Sequence, residues 1–476
     1  MDVFVSALLA ALLVALAAGV FLVFLYRPIL KGVTGFVLRL LLTESYAKNM
    51  WEFVSSVRRF KPLKIAEGGL RAEYGEILSR PLGTPKKLAG FEGLIFLPAQ
   101  LATLTTRETH KVDTRTVIGP QAKRPLRLEI PLLISGMGAG VPLTEPVKIA
   151  LAKGASLAGT ATNTGQGPLL PEERKAADKL ILQYSRAPWA KTSEELKQAD
   201  MVEIAVGGGG DAGSPQVIPS RRLSGRLRRL MGLNPDEDAR IGSRVPGVEH
   251  PDDWPKLVKK LREETGGVPI GVKILPSRVE EDIDRALEAG VDVITIDGAQ
   301  AGTGESATIV QDDFGLPTIR GLCRAVEHLE KRHARQRVSL IVSGGLYTPG
   351  DYLKVLALGA DAVALGTAVL FAALHTQITK VLPWEPLTQL IWSGGSSAGQ
   401  FDVEKASKYV ANFLNASVEE MKLAVICLGK KAVSEVGRED LVALDPETAR
   451  LTGIPLAYGR EDSGRTQREK APQPSL

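Results

Sequence analysis

Two short apolar runs in this chain end in glycine at matching places. Ser339 to Val342 leads into Gly344 and Gly345, and Ala362 to Leu365 leads into Gly366 and Thr367. Between them, Pro349 to Leu358 reads as a helix, so the stretch is a strand–helix–strand unit with parallel strands. Such strands end at the same edge of a sheet. Glycine there lets backbone N–H groups come close to an anion, and the N-terminus of the next helix adds a favourable dipole. The chemistry implied is the gripping of a phosphate group. In a (βα)8 barrel, paired turns of this kind belong to the last two strands. A plain βαβ unit with glycine turns is the alternative, but both strands carry the feature.

The surrounding elements fit a barrel. The chain has 476 residues, 44% of them hydrophobic, enough for a large core. Apolar runs ending in small or polar residues recur at 132–136, 160–163, 202–206, 270–274, 293–297, 339–343 and 362–366. An eighth strand is expected within 180–189. Helix-like stretches such as 145–157 and 280–289 lie between them. The alternation predicts a parallel sheet.

The N-terminus is different. Val3 to Tyr26 is free of charge and rich in Leu, Ala, Val and Phe, long enough to cross a bilayer as one helix. A cleaved signal peptide would show basic residues first and a shorter apolar core. Here Asp2 comes first, and Arg27, Lys31 and Arg39 follow. The expectation is a retained single-pass anchor, residues 1–30, with the rest of the chain in the cytoplasm. Residues 33–42 are apolar but interrupted by Arg39, and are expected to lie on the membrane surface or pack on the barrel. Residues 31–90 read as a juxtamembrane linker, 91–455 as the barrel and 456–476 as a disordered tail.

The net charge of +5 is mild and mixed along the chain, so nucleic-acid binding is not implied. One local exception, Ser220 to Leu230, holds five arginines. It reads as a solvated basic loop, or as a contact for anionic lipid, an acidic substrate or an acidic partner. The two cysteines, Cys323 and Cys427, allow no disulfide framework or metal motif, and the five histidines are scattered. No metal site is expected. Gly208, Gly210 and Gly213 formally match the GxGxxG dinucleotide fingerprint, which must open a helix. Pro215 and Pro219 follow here, so a loop is expected instead.

Several segments closely resemble the FMN-binding synthase domain of glutamate synthase in its short, stand-alone form. They are FLPAQLATL (96–104), VDTRTVIGP (112–120), ALAKGASLAGTATNTGQG (150–167), LLPEERKAADKLILQY (169–184), GVKI (271–274), VITIDGAQAGTG (293–304), SGGLYTPGDYLKVLALGADAVALGTA (343–368) and VANFLNASVEEMKLA (410–424). They run in order from about residue 90 to 455. The resemblance implies an α/β fold, a (βα)8 TIM barrel with FMN at the C-terminal ends of its strands, here behind an N-terminal transmembrane helix. It implies an oxidoreductase in which ammonia adds to a 2-oxo acid and flavin hydride reduces the imine. Carried over by position, Gly136, Asn163, Lys273, Asp297, Gly298, Gly344, Gly345, Gly366 and Thr367 would bind the cofactor. Thr164, Gly165, Gly302, Thr303 and Gly304 would bind substrate. Lys273 would be catalytic, a cation able to stabilise charge on reduced flavin or to meet a substrate carboxylate.

The departures from the family cluster on the substrate side and the electron route. No cysteine lies in 372–399, where the family carries its iron–sulfur ligands, so that cluster is not expected. The lysine-bearing IKxGQGAKPG loop has become Ile204-Ala205-Val206-Gly207-Gly208-Gly209-Gly210-Asp211. NTGEGG has become NTGQGP, MSFGALS reads MGAGVP at 137–142, and DGAEGGTG carries Gln300 and Ala301. No glutaminase domain is expected in this chain, so ammonia is expected to be free or to come from a partner, and the electron donor is unidentified. Three functions follow as expectations. The first is a membrane-anchored FMN oxidoreductase of glutamate-synthase type. The second is a barrel that binds FMN or another phosphorylated ligand without turnover, as scaffold or sensor. The third is a flavin-free enzyme using the same cradle.

Overall fold

The computed structural model describes residues 2–458. The chain divides into two units, Met1–Leu78 and Ser79–Leu476.

The first unit is helical. Helix α1 spans Asp2–Thr43, with Pro28 inside it. Its apolar window has a mean hydropathy of 3.0, and none of that window is buried. At 1.5 Å per residue it exceeds the roughly 30 Å of a bilayer core. Residues 33–42, expected as a separate segment, continue this helix. After Pro28 nothing removes a backbone donor, and Gly32 and Gly35 weaken a helix without ending it. The last carbonyls of α1 are met by side chains: Asn49 Nδ2 and Trp51 Nε1 both donate to Leu41 O, at 2.5 and 3.0 Å. Helices α2 (Trp51–Phe60) and α3 (Pro62–Tyr74) follow. Pro62 opens α3, and Gly75 closes it at φ 62°.

The second unit is the barrel. Its strands are β1 (Leu132–Ile134), β2 (Thr162–Asn163), β3 (Leu180–Tyr184), β4 (Met201–Ala205), β5 (Ile270–Ile274), β6 (Val293–Asp297), β7 (Ser339–Ser343) and β8 (Ala362–Leu365). Consecutive strands pair in parallel from β2 through β8, and β8 pairs with β1. The remaining seam is bridged by a bond from Ile134 N to Ala161 O, 3.0 Å. All eight expected strands are found, the eighth at the start of its expected window. Residues 79–90, expected as linker, belong to this unit. Ser79–Arg80 pairs with Ser306–Ala307, and Leu82 N donates to Thr303 O at 3.0 Å. Leu456, expected to begin the tail, bridges to Ala443, and Ala457 N donates to Ala443 O at 2.7 Å. The expected disorder of 459–476 lies outside the described residues.

Strand parity sorts the two faces. Leu180, Leu182, Val202, Ile204, Ile294, Ile296, Leu340 and Val342 point outward into the layer shared with the helices. Leu133, Ile181, Met201, Val293, Ile341, Ala362 and Ala364 point inward and form a second core with Ile118, Leu126 and Leu128. Those last three come from a hairpin, Thr116–Ile118 with Leu126–Leu128. Its turn reaches the starts of the strands, where Gly119 N donates to Ser339 Oγ at 3.0 Å. The hairpin therefore closes the N-terminal end of the barrel. Two to four residues further along β3 to β6 the interior turns polar: Gln183, Glu203, Lys273, Thr295 and Asp297.

Helix α4 (Glu145–Leu157) packs against the long helix α5 (Val403–Cys427). A Cβ on Gly154 would sit 2.6 Å from Val410, so the contact needs glycine. From α4, Lys148 Nζ reaches inward to Glu173 Oε1 at 3.0 Å and donates to Asn163 O at 2.6 Å. Both charged side chains are 0% exposed. Burial pushes the Glu173 carboxyl up, against the attraction of Lys148. Removing one partner from such a pair costs about 3–5 kcal/mol, because the other charge is left buried alone. Lys148→Met should lower stability in urea denaturation by about that amount. The double variant Lys148→Met, Glu173→Leu should recover most of the loss.

Candidate functional site

The two glycine turns lie side by side. β7 and β8 pair in parallel, Ile341 opposite Ala362 and Val342 opposite Val363. β7 runs into Gly344 (φ 113°) and Gly345 (φ 69°), while β8 runs into Gly366 and the N-terminus of helix Thr367–Leu374. Among the described residues, the N–H groups of Gly344, Gly345, Gly366 and Thr367 donate to no protein acceptor. Gly345 is exposed and Gly366 partly so. A Cβ on Gly345 would meet Gln300 Cβ at 2.4 Å, so both space and φ require glycine. The four free donors and a helix N-terminus suit a phosphate monoester.

The loop after β6 braces this cradle. Gly298 N donates to Ser343 O at 2.9 Å. Gln300 Oε1 accepts from Thr318 N at 2.8 Å, and Gln300 Nε2 donates to Ala89 O at 2.8 Å. The Thr318 hydroxyl is within 2.8 Å of Gly344 O. A Cβ on Gly302 would lie 2.8 Å from Thr367 Oγ1, and one on Gly304 would lie 2.6 Å from Pro142. The loop thus touches the cradle at one end and the turn after β1 at the other.

Lys273, on β5, faces Asp297 on β6, Nζ to Oδ2 2.9 Å, with both side chains buried. Burial alone would push the lysine down, but the carboxylates of Asp297, Glu203 and Asp211 outweigh it and hold it above its ordinary value. Lys273 therefore stays an ammonium across the physiological range. Beside it, Glu203 Oε1 accepts from Asn163 Nδ2 and Gln183 Nε2, each at 2.9 Å, and Oε2 accepts from Thr295 Oγ1 at 3.0 Å. Asn163 Oδ1 in turn accepts from Gly165 N at 2.9 Å.

The loop after β4 covers the ion pair. A Cβ on Gly208 would meet Asp297 Oδ2 at 2.4 Å, and one on Gly209 would meet Gly298 O at 1.9 Å. Only glycine can pass there. Asp211 Oδ1 accepts from Gly208 N and Gly213 N, at 3.1 and 3.0 Å. Its Oδ2 pairs with Arg186 Nη2 at 2.9 Å and accepts from Gln166 Nε2 at 3.1 Å. No helix opens at these glycines, in agreement with the expected loop.

Asn163, Lys273, Asp297 and Gly298 come together in one cluster, and Gly344, Gly345, Gly366 and Thr367 in the adjoining cradle. Gly136 packs inside, where a Cβ would meet Gln183 Nε2 at 2.5 Å. Thr164 is fully buried, and its hydroxyl accepts from Gln183 N at 2.9 Å. It ties the turn after β2 to β3. Gly165 (φ 65°) packs on Met137 and Gly138. Sequence reasoning missed Gln183, Glu203, Arg186 and Asp211. An acid in the middle of an apolar strand, in step with Met201, could have marked Glu203. No sequence pattern joins Arg186 to Asp211, which meet only through the fold. In the arginine-rich stretch, Arg222 pairs with Glu305, Arg226 bridges Glu145 and Glu172, and Arg228 donates to Ser220 O at 3.0 Å.

The matched family model is described as the conserved region in glutamate synthase and covers residues 92–431. This chain belongs to the glutamate synthase family. A glutamate synthase large subunit-like protein of Rhizobium meliloti is 32% identical over 424 residues, 84% of this chain and 94% of that protein. An archaeal glutamate synthase [NADPH] of Archaeoglobus fulgidus is 29% identical, over 79% of this chain and 73% of that protein. Among solved structures, a flavocytochrome b2 variant with benzoylformate is 18% identical at a TM-score of 0.49, covering 83% of this chain and 87% of that one. The barrel itself stands on its own strand order.

One further group near the mouth titrates unusually. Lys191 Nζ donates to Ser185 O at 2.8 Å and lies 4.1 Å from the centre of the Tyr184 ring. Burial pushes it down to about 7, with a partial offset from Glu195. The unfolded chain therefore holds this proton up to about pH 10, where the folded chain has released it. Stability from this group rises with pH across that window and is lowest below its folded pKa. Lys191→Met should be more stable than the parent near neutrality, with the gap closing as pH approaches about 10. Urea denaturation at several pH values checks this.

Proposed function

We propose that this chain is a membrane-anchored, FMN-dependent oxidoreductase that reduces an imine, formed from a 2-oxo acid and ammonia, to an amine. The observation that carries the reading is the double glycine turn at β7 and β8, next to a buried ammonium at the end of β5. Gly344, Gly345, Gly366 and Thr367 would hold the cofactor phosphate through main-chain N–H groups. Asp297 and Gly298 would sit beside its ring system, with Asn163 behind them. FMN, when bound, supplies hydride transfer. Lys273 contributes a fixed positive charge, kept protonated by its carboxylate neighbours, where negative charge develops during reduction. The glycine loop over Lys273 and Asp297 keeps water from the pair.

Two family features support the oxidoreductase class: the matched region spans the whole barrel, and the cradle residues are retained. Without the cluster cysteines, electrons would pass to the flavin from a separate donor. Helix α1 supports the membrane reading by its length and hydropathy, with the barrel on the cytoplasmic side.

The decisive test follows the bound flavin of the purified protein. After chemical reduction, 2-oxo acid plus ammonia should restore the oxidised absorption, and Lys273→Ala should slow this about a hundredfold with the flavin retained. A flavin that stays reduced under every 2-oxo acid tried would favour a binding barrel without turnover. Unchanged reoxidation in Lys273→Ala would remove the role given to that lysine. Deleting residues 1–43 should move the protein from the membrane fraction to the supernatant. Persistent co-sedimentation would show that the barrel or α2 and α3 suffice for attachment.

A further inference from the structure

We infer that the substrate side of this barrel recognises a cationic nitrogen, and takes an iminium or ammonium compound that lacks a second carboxylate. The inference rests on the oxidoreductase reading above and narrows its substrate class.

Binding a dicarboxylate requires cations or N–H donors at both of its ends. The two cations at the centre of the mouth are already closed on acids. Lys273 is paired with Asp297, and Arg186 with Asp211. Arg186 also donates to the carbonyls of Gly213, Ser214 and Gly242, so its guanidinium is directed into the protein. With Glu203, three acidic side chains stand beside two basic ones in this cluster, and burial pushes the Asp297 carboxyl up. The loop that passes over it, Gly207 to Gly210, carries no side chain that could restore a positive charge.

Side-chain acceptors in the cluster have capacity to spare: Gln166 Oε1 is buried and accepts no hydrogen bond, and the Asp297 carboxyl meets only Lys273 and the Ser343 hydroxyl among the described side chains. They belong to one connected cluster: Gln166 Nε2 is on Asp211, Asp211 anchors Gly208, and Gly208 lies against Asp297. Buried acceptors without donors are costly, and a ligand carrying N–H donors and positive charge satisfies them. A ligand carrying a second carboxylate would add further acceptors to a cluster whose acidic groups already outnumber its basic ones.

The test uses the full-length chain in neutral detergent with its flavin, titrated calorimetrically with n-butylammonium and with glutarate. Butylammonium should bind at least about tenfold more tightly than glutarate. Gln166→Leu should weaken butylammonium about tenfold and leave glutarate unchanged. Asp211→Asn, which keeps the acceptor for Gly208 and Gly213, should shift the preference toward glutarate. Glutarate binding as tightly as butylammonium overturns the inference, as does a Gln166→Leu variant with unaltered butylammonium affinity. The absorption spectrum separates the two levels of the argument. A colourless chain contradicts the cofactor reading, whereas a yellow chain that prefers glutarate contradicts only the amine recognition.

Discussion

A phosphate held by main-chain amides needs two turns that leave N–H groups unpaired at one spot and place no side chain between them. Everything proposed for this barrel depends on that constraint being met after β7 and β8. The parallel pairing of the two strands brings their ends together. Gly345 cannot carry a side chain, because of its φ of 69° and because Gln300 lies against it. Gln300 is itself fixed by Thr318 and Ala89, so the second wall of the cradle is rigid. The helix beginning at Thr367 points its dipole into the same place.

The rest of the mouth follows from a change of polarity along the barrel axis. The lower interior is apolar and is sealed from below by the hairpin around Gly119. The upper interior carries Gln183, Glu203, Lys273, Thr295 and Asp297. A lysine at that level is tolerable only with a partner, and Asp297 supplies one from the neighbouring strand. The same logic explains Arg186 and Asp211. Asp211, buried at the mouth, needs a counter-charge, and Arg186 provides it. The two ion pairs leave neither Lys273 nor Arg186 free for a ligand carboxylate.

Much of this was legible in the chain because strand and helix periods are local. Seven of the strands and the helices at 145–157 and 349–357 fall within about two residues of where apolar runs and glycine punctuation put them, and the eighth strand, Leu180–Tyr184, fills the first half of the window expected for it. The cradle was legible for the same reason: glycine at a strand end is a local signal. The charge network was not. Arg186 and Asp211 are 25 residues apart, and Lys148 and Asn163 are 15 apart, with nothing in either segment to announce the other. The tie between Thr164 and β3, made through the Gln183 N–H, was likewise invisible in the sequence. At the N-terminus, the charge at Arg39 suggested a break that the helix does not make, since a long basic side chain is fully compatible with helix.

The central claim is that the phosphate, more than the ring system, secures the cofactor. Comparing FMN with riboflavin on the full-length protein isolates that contribution, since the two differ only by the phosphate. Flavin fluorescence quenching should show FMN binding at least about a hundredfold more tightly than riboflavin, with the advantage lost in Gly345→Val. Equal affinity for the two flavins, or an advantage that survives Gly345→Val, would contradict the account.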